Sequence, residues 1–340
     1  MQKIRLGKTN LMVSRSGFGA IPIQRINDED STSLLRAAFD GGINYYDTAR
    51  GYTTSEHKIG LALGDVRNKI IIATKSGAQT GEQLEQNLET SLSELGIDYI
   101  DVYQFHNPSF IPRPGEANGL YDAAIRAKES GKIKHIGVTS HRLDLSIEMV
   151  KSGLFETIQF PMSSLAADDE IELVKLCKEK DVGFVAMKGL AGGLITNAKT
   201  TFAFLRQFDN VVPIWGMQYM SELEEFMRYE KNPPVLDDEM WEIIKQDRAK
   251  LCSDFCRACG YCLPCPAEIN IPMAARMELL LGRADWRSLS NKNGQEMMGR
   301  INNCINCRHC ADHCPYHLDT PELLKANLAY FEKFVAEHKN

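Results

Sequence analysis

The sequence predicts an α/β chain: a (β/α)8 barrel followed by a small, mainly α-helical domain. Three observations carry that expectation. Over the first two thirds of the chain, eight short and mainly apolar runs alternate with helical patterns at roughly thirty-residue spacing. Runs of that kind read as parallel strands buried on both faces, and eight β-then-α repeats close into a barrel. An open doubly wound sheet is the alternative, but the Gly-x-Gly-x-x-Gly fingerprint that would follow its first strand is absent. Third, a Glu-Lys-Asn-Pro-Pro stretch at 230–234 reads as a linker, beyond which nearly all the cysteines lie. The expected domains are therefore 1–232 and 233–340.

In order, residues 4–13 read as a short β-hairpin with a Gly/Asn turn. The strand candidates are 16–20, 43–47, 70–75, 100–106, 135–139, 157–160, 183–187 and 211–215. Helical stretches fall near 29–41, 56–63, 82–95, 120–130, 143–151, 170–180 and 199–208. Asp28, Thr80 and Asp169 are plausible opening caps, and Gly41, Gly96 and Gly131 plausible stops. After the linker, 237–250 reads as an amphipathic helix, 272–281 and 286–290 look helical, and 323–338 forms a final helix.

With 340 residues, 44% hydrophobic, 25% charged and a net charge of −6, the composition is that of a soluble globular protein. The mild acidic excess gives no reason to expect nucleic acid or an anionic membrane as partner. The N-terminal residues carry no apolar signal region, and no run is long enough to span a bilayer. Nine of the ten cysteines lie in the last ninety or so residues, which points to a reducing compartment and a cytoplasmic protein.

Those cysteines form two runs. Cys304-Ile-Asn-Cys307-Arg-His-Cys310-Ala-Asp-His-Cys314-Pro315 has the spacing of a bacterial [4Fe–4S] loop. Cys256-Arg-Ala-Cys259-Gly-Tyr-Cys262-Leu-Pro-Cys265-Pro266 repeats it with a last gap one residue shorter. Eight thiolates would hold two [4Fe–4S] clusters. A zinc site of four cysteines is the competing chemistry, but zinc usually takes two separated pairs, not three even spacings and a distant fourth, twice over. Nothing marks the chain as exported, which argues against disulfides. The runs resemble two-cluster ferredoxins, in which the fourth cysteine of each run serves the other cluster. That resemblance implies Cys256, Cys259, Cys262 and Cys314 on one cluster, and Cys304, Cys307, Cys310 and Cys265 on the other. Cys252 is left spare, and Cys177, inside an apolar helical pattern, reads as a core thiol.

In the barrel, Asp47, Lys75 and His106 each end a strand candidate, and Tyr52 follows in the loop after the second. Barrel active sites are built at that carboxyl end. The stretches Asp47-Thr-Ala-Arg-Gly-Tyr52-Thr-Thr-Ser55-Glu56, Ala73-Thr-Lys75 and Phe105-His106 resemble the Asp, Tyr, Lys and His motifs of the aldo-keto reductases. The likeness extends through Gly131-Lys-Ile-Lys-His-Ile-Gly-Val138, the strand with Gln159, and Leu190-Ala-Gly-Gly193, covering about 1–230 in order. A ferredoxin-type tail on such a barrel resembles a subgroup of bacterial and archaeal members.

The resemblance implies an NAD(P)H-dependent oxidoreductase acting on a small carbonyl or alcohol. Tyr52 would be the general acid, Lys75 would lower the phenol's pKa, Asp47 would hold the lysine, and His106 would orient the carbonyl. Thr139, Ser140 and Gln159 would grip the nicotinamide carboxamide, with Met187 beneath the ring. Lys188, Gly189, Leu190, Gly192, Gly193, Trp215 and Gly216 would lie on the phosphate side. Glu222 falls about where many members carry an Arg for the 2′-phosphate of NADPH, and a carboxylate there disfavours a phosphate. NADPH or NADH is the expected cofactor, and NADH use, weak nicotinamide binding or a different cofactor all stay open.

A hydride carries two electrons and a cluster takes one at a time. The first reading is therefore a carbonyl reductase or alcohol dehydrogenase whose clusters are structural or serve an external carrier such as a ferredoxin or a flavoprotein. The alternative is an electron-transfer protein whose barrel no longer reduces carbonyls, and a third makes the clusters redox sensors. Substrate choice would rest in loops such as 107–118.

Overall fold

The computed structural model describes residues 1–251, 255–282 and 286–338. Cys252, expected as a spare thiol, lies outside the described residues. The chain groups into two compact units, Met1–Gly189 with Lys199–Asp237, and Leu190–Ala198 with Asp238–Asn340.

In the first unit a hairpin, β1 (Lys3–Arg5) and β2 (Met12–Ser14), pairs antiparallel as the sequence suggests. Eight parallel strands follow: β3 (Gly17–Gly19), β4 (Tyr45–Asp47), β5 (Ile71–Ser76), β6 (Ile100–His106), β7 (Ile133–Thr139), β8 (Thr157–Pro161), β9 (Gly183–Met187) and β10 (Val211–Gly216). They pair in sequence order and close when β10 meets β3, so the open doubly wound alternative does not apply. Leu6 and Val13 of the hairpin segment pack with Tyr45, Ile71, Ala73, Val102, Val185, Val212 and Ile214 as one apolar cluster. Arg5 donates twice to Asp181, just ahead of β9, at 2.7 and 2.9 Å. The hairpin therefore plugs the amino-terminal end of the barrel, and the carboxyl end is left for chemistry.

The helices are α1 (Asp28–Asp40), α2 (Ser55–Leu63), α3 (Gly81–Leu95), α4 (Leu120–Glu129), α5 (Leu143–Ser152), α6 (Asp168–Glu179), α7 (Ala198–Arg206) and α8 (Met220–Lys231). Cap assignments needed correction. Asn27, not Asp28, opens α1, accepting the Asp30 N–H at 2.8 Å. Helix α6 starts at Asp168, so Asp169 lies inside its first turn, and Glu170 accepts the Ala167 N–H at 3.0 Å. Thr80 does cap α3, and Gly96 ends it at φ +65°. Ser130 takes the cap of α4, with Gly131 following at φ +79°.

Helix α8 lies outside the sequence expectations, because its first residues resemble a phosphate loop. Its Leu223 and Phe226 are buried three residues apart, the spacing of one helix face.

The second unit contains α9 (Asp238–Leu251), α10 (Ile271–Ala274), α11 (Met277–Leu281), α12 (Trp286–Ser290), α13 (Lys292–Gly299), α14 (His309–Asp312) and α15 (Thr320–Glu337). The helical reading of 272–281 divides into α10 and α11, and α13 was not anticipated. Helix α15 packs against α10, α11, α13 and α14, burying Leu324, Leu328 and Phe331. Asn327 ties it to α11, accepting the Glu278 N–H at 2.9 Å. Six of the eight ligand candidates, all but Cys259 and Cys307, belong to this unit's apolar core or pack directly on it.

Candidate functional site

Strand ends bring four expected residues together. Asp47 ends β4, Lys75 is the penultimate residue of β5 and His106 ends β6. Tyr52 stands in the β4–α2 loop, where Thr53 takes φ +41°. The Lys75 ammonium donates to Asp47 Oδ1 at 2.6 Å and to the Thr48 carbonyl at 2.6 Å. It also lies 5.0 Å from the Tyr52 ring centre and is the hydroxyl's hydrogen-bond partner. The Tyr52 and His106 rings meet edge to face at 6.0 Å.

The electrostatics follow from burial. Asp47 and Lys75 are 2% and 1% exposed, so each charge depends on the other. Burial raises the Asp47 carboxyl, opposed by the charge of Lys75 and by bonds from Lys75, Gln159 and Gln104. Burial also pulls Lys75 down, but the charges of Asp47 and Tyr52 outweigh it and the net direction is up. The pair is an ammonium facing a carboxylate that also takes amide donors from Gln104 and Gln159.

Lys75 acts on the Tyr52 phenol in the expected direction, but the net shift is the other way. Burial holds the Tyr52 phenol above its ordinary value, and the charge of Lys75 opposes that without overturning it. Burial, then the charge of Lys75, pushes His106 down to about 3, so its imidazole is neutral, with one N–H to donate.

Two contributors were missed. Gln104 Nε2 donates to Asp47 Oδ2 at 3.2 Å, and its place two residues before His106 puts it on the same face of β6. Asn107, at φ +52°, donates its N–H to the Thr139 hydroxyl at 2.9 Å and accepts the His141 N–H at 3.1 Å. Asn tolerates that left-handed backbone, a signal present in the sequence.

The nucleotide candidates divide. Thr139 pairs with His106 on one side and Gln159 on the other. Ser140 donates its hydroxyl to the Arg142 carbonyl at 3.2 Å. Gln159 donates to Asp47 Oδ1 at 3.3 Å, while its Oε1 is buried with no hydrogen-bond partner. A nicotinamide carboxamide N–H2 is a fitting donor for that oxygen, so these residues suit the group. Met187, half-buried, pairs with Pro161 at the end of β9. Lys188 follows at φ +57°, and a Cβ on Gly189 would sit 2.5 Å from the Trp215 ring. Trp215 is 2% exposed, stacks on Phe226 at 4.4 Å and donates to Ser16 at 2.9 Å. Its side chain is committed to the core, which leaves its backbone and that of exposed Gly216 for a ligand. Leu190, Gly192 and Gly193 belong to the segment that groups with the second unit. Glu222 closes a capping box on α8, accepting the Gln218 and Tyr219 N–H groups at 2.7 and 3.0 Å.

In the second unit a small pocket is lined by Cys265, Cys304, Cys307 and Cys310, with Cys262 also on its wall. Cys310 has Cys304 and Cys265 as electrostatic neighbours. Cys256 has Cys259 and Cys314. Cys307 is exposed, whereas Cys256 and Cys262 are buried. Thiolates converging from both runs are a donor set suited to iron–sulfur clusters. Cys177 is buried with its thiol pushed up to about 12, as a core residue should be.

Residues 15–207, more than half of the chain, match the Aldo/keto reductase family. The chain belongs to that family of oxidoreductases. Residues 255–319 match a 4Fe-4S dicluster domain, which gives this aldo-keto reductase an iron–sulfur domain and sets the zinc reading aside. L-galactose dehydrogenase from Arabidopsis thaliana is 30% identical over 56% of this chain and 66% of its own length. The chain thus spans just under two thirds of that relative. NADH-specific methylglyoxal reductase from Escherichia coli is 29% identical over 59% of this chain and 71% of its own. An aldo-keto reductase from Klebsiella pneumoniae in complex with NADPH shares the fold, with TM-score 0.63 and 19% identity over 73% of this chain and 94% of that one. No helix among the described residues is long and apolar enough to cross a membrane.

Proposed function

We propose that the barrel exchanges hydride between a nicotinamide dinucleotide and a small carbonyl or alcohol. The observation that carries this is the chain from the buried Asp47–Lys75 pair to half-buried Tyr52, with neutral His106 against the Tyr52 ring. Gln159, Thr139 and Ser140 would hold the nicotinamide, which would supply the hydride in the reductive direction.

His106 donates its N–H to the substrate oxygen and fixes the carbonyl's direction, and Tyr52 gives that oxygen its proton. The phenol is protonated at neutral pH and so can donate in reduction, but burial makes it the weaker acid, and the charge of Lys75 is what favours giving up the proton. In the reverse direction Lys75 has to stabilise the phenolate. A carboxylate at Glu222 supports NADH over NADPH, since a 2′-phosphate would meet a negative charge. Initial rates with a panel of small aldehydes test the reading. Tyr52→Phe should lower kcat by roughly 10²–10⁴-fold with the fold intact, and a variant as fast as wild type would sink it.

A specific observation favours a role for the clusters beyond structure. The converging neighbours of Cys256 and Cys310 support two crossed ligand sets, and Cys307 reaches the surface. Two one-electron centres together match the two electrons of one hydride, and an external flavoprotein would split the pair. In anaerobic solution the brown absorbance should bleach with NADH only when such a flavoprotein is added. No bleaching in its presence would make the clusters structural.

A further inference from the structure

Arg276, between α10 and α11, is buried at 6% exposure. Its Nε donates to the Pro272 carbonyl at 2.8 Å and its Nη1 to the Gly192 carbonyl at 2.8 Å. Among the described residues no carboxylate is recorded as its partner, and Cys256 is the ionisable group whose electrostatics reach it. The surroundings place the guanidinium on the loop that carries the first cysteine run. A Cβ on Gly192, which stands at φ +69°, would lie 3.0 Å from Arg276 Nη1, 3.8 Å from the Ala258 Cβ and 4.0 Å from the Arg257 carbonyl oxygen. The Ala258 N–H in turn points at Cys256 Sγ at 3.4 Å.

A guanidinium out of water with only carbonyls for company is costly unless an anion is close. Four thiolates around a [4Fe–4S] core make such an anion, and one reducing electron adds a further negative charge. We propose that Arg276 is the buried counter-ion of the cluster held by Cys256, Cys259, Cys262 and Cys314, and that it sets that cluster's reduction potential. The bonds to Pro272 and Gly192 fix the direction of the charge, so Arg276 acts as a positioning residue and not as a ligand. Its cation favours the reduced state of the near cluster. It bears less on the cluster of Cys304, Cys307, Cys310 and Cys265, so the two potentials are held apart.

The inference rests on the two-cluster reading, and iron content separates the two claims. Potentiometric titration of the full-length holoprotein, followed by EPR, tests it. Wild type should give two reduction waves. In fully loaded Arg276→Gln one wave should move to lower potential, at least tenfold in the reduction equilibrium, or about 59 mV for one electron. The other wave should stay, and Arg276→Lys should restore the first. A glutamine variant that loses one cluster while the lysine variant keeps both also supports the proposal, because charge is what the two differ in. A fully loaded glutamine variant with both waves unmoved overturns it. So does a lysine variant that behaves like the glutamine one, since the forked hydrogen bonds would then be the whole role. Iron-free wild type would overturn the cluster reading, and this proposal with it.

Discussion

His106 is half-buried at the end of β6 beside the Lys75 charge, and its loss of solvation there has a measurable cost. With its folded pKa near 3 and an unfolded value near 6.5, the unfolded chain binds the extra proton between those values. Stability is therefore whole above about pH 6.5 and falls as pH drops toward 3, by about 1.4 kcal/mol per pH unit from this residue. Glu156, held down to about 2 against the pull of its burial by His135, Lys128 and the Ile136 N–H, adds its own loss only below its unfolded range near 4.3. Urea unfolding at pH 7 and pH 5 isolates the histidine. His106→Asn should lose less between the two than wild type, by about 2 kcal/mol. Equal losses would mean that burial is not what keeps His106 neutral. Asp47, Lys75, Tyr52 and His106 were legible as candidates because each falls at or just after a strand end. The direction of the Tyr52 shift was not, because burial and the Lys75 charge oppose each other there and only their distances from the hydroxyl decide.

At the scale of elements, the loop after β10 shows how one residue serves two demands. Glu222 is the acid of the α8 capping box, and its charge also faces whatever approaches the helix N-terminus. Glu222→Gln keeps an acceptor for the Gln218 and Tyr219 N–H groups while removing the charge. It should leave thermal stability nearly unchanged and lower KM for NADPH by roughly tenfold, that is, about 1.4 kcal/mol of repulsion removed. Glu222→Ala should cost about 1 kcal/mol of stability as well. Steady-state kinetics beside a melting curve separates the two roles, and an unchanged NADPH KM in the glutamine variant would place the phosphate elsewhere. The strands were readable from their apolar runs to within about two residues. Helix α8 escaped because its opening residues look like loop until Leu223 and Phe226 are seen to share a face.

For the whole molecule, the two units carry two kinds of centre, one of residues linked by hydrogen bonds and one of converging thiols. If the ligand sets cross between the cysteine runs, Cys265 belongs with Cys304 although 38 residues separate it from that run. Cys265→Ser and Cys304→Ser should then each lose about half the iron and the same reduction wave. Cys314→Ser should match Cys256→Ser instead. Loss of one wave by Cys265→Ser and Cys256→Ser together would return each run to its own cluster.

Local spacing by itself determined which chemistry this chain could do. Cysteines three apart, polar residues at strand ends and eight repeated β–α units are properties of neighbours along the chain, and short-range geometry is enough to read them. Only the tertiary structure decided what each group meets. Gln104 joining Asp47, the Trp215 indole turning into the core, Gly192 lying under Arg276 and the net shift on Tyr52 all depend on residues far apart in sequence. Their energies are set by burial and by distances of a few ångströms, which come into being only when the chain closes on itself.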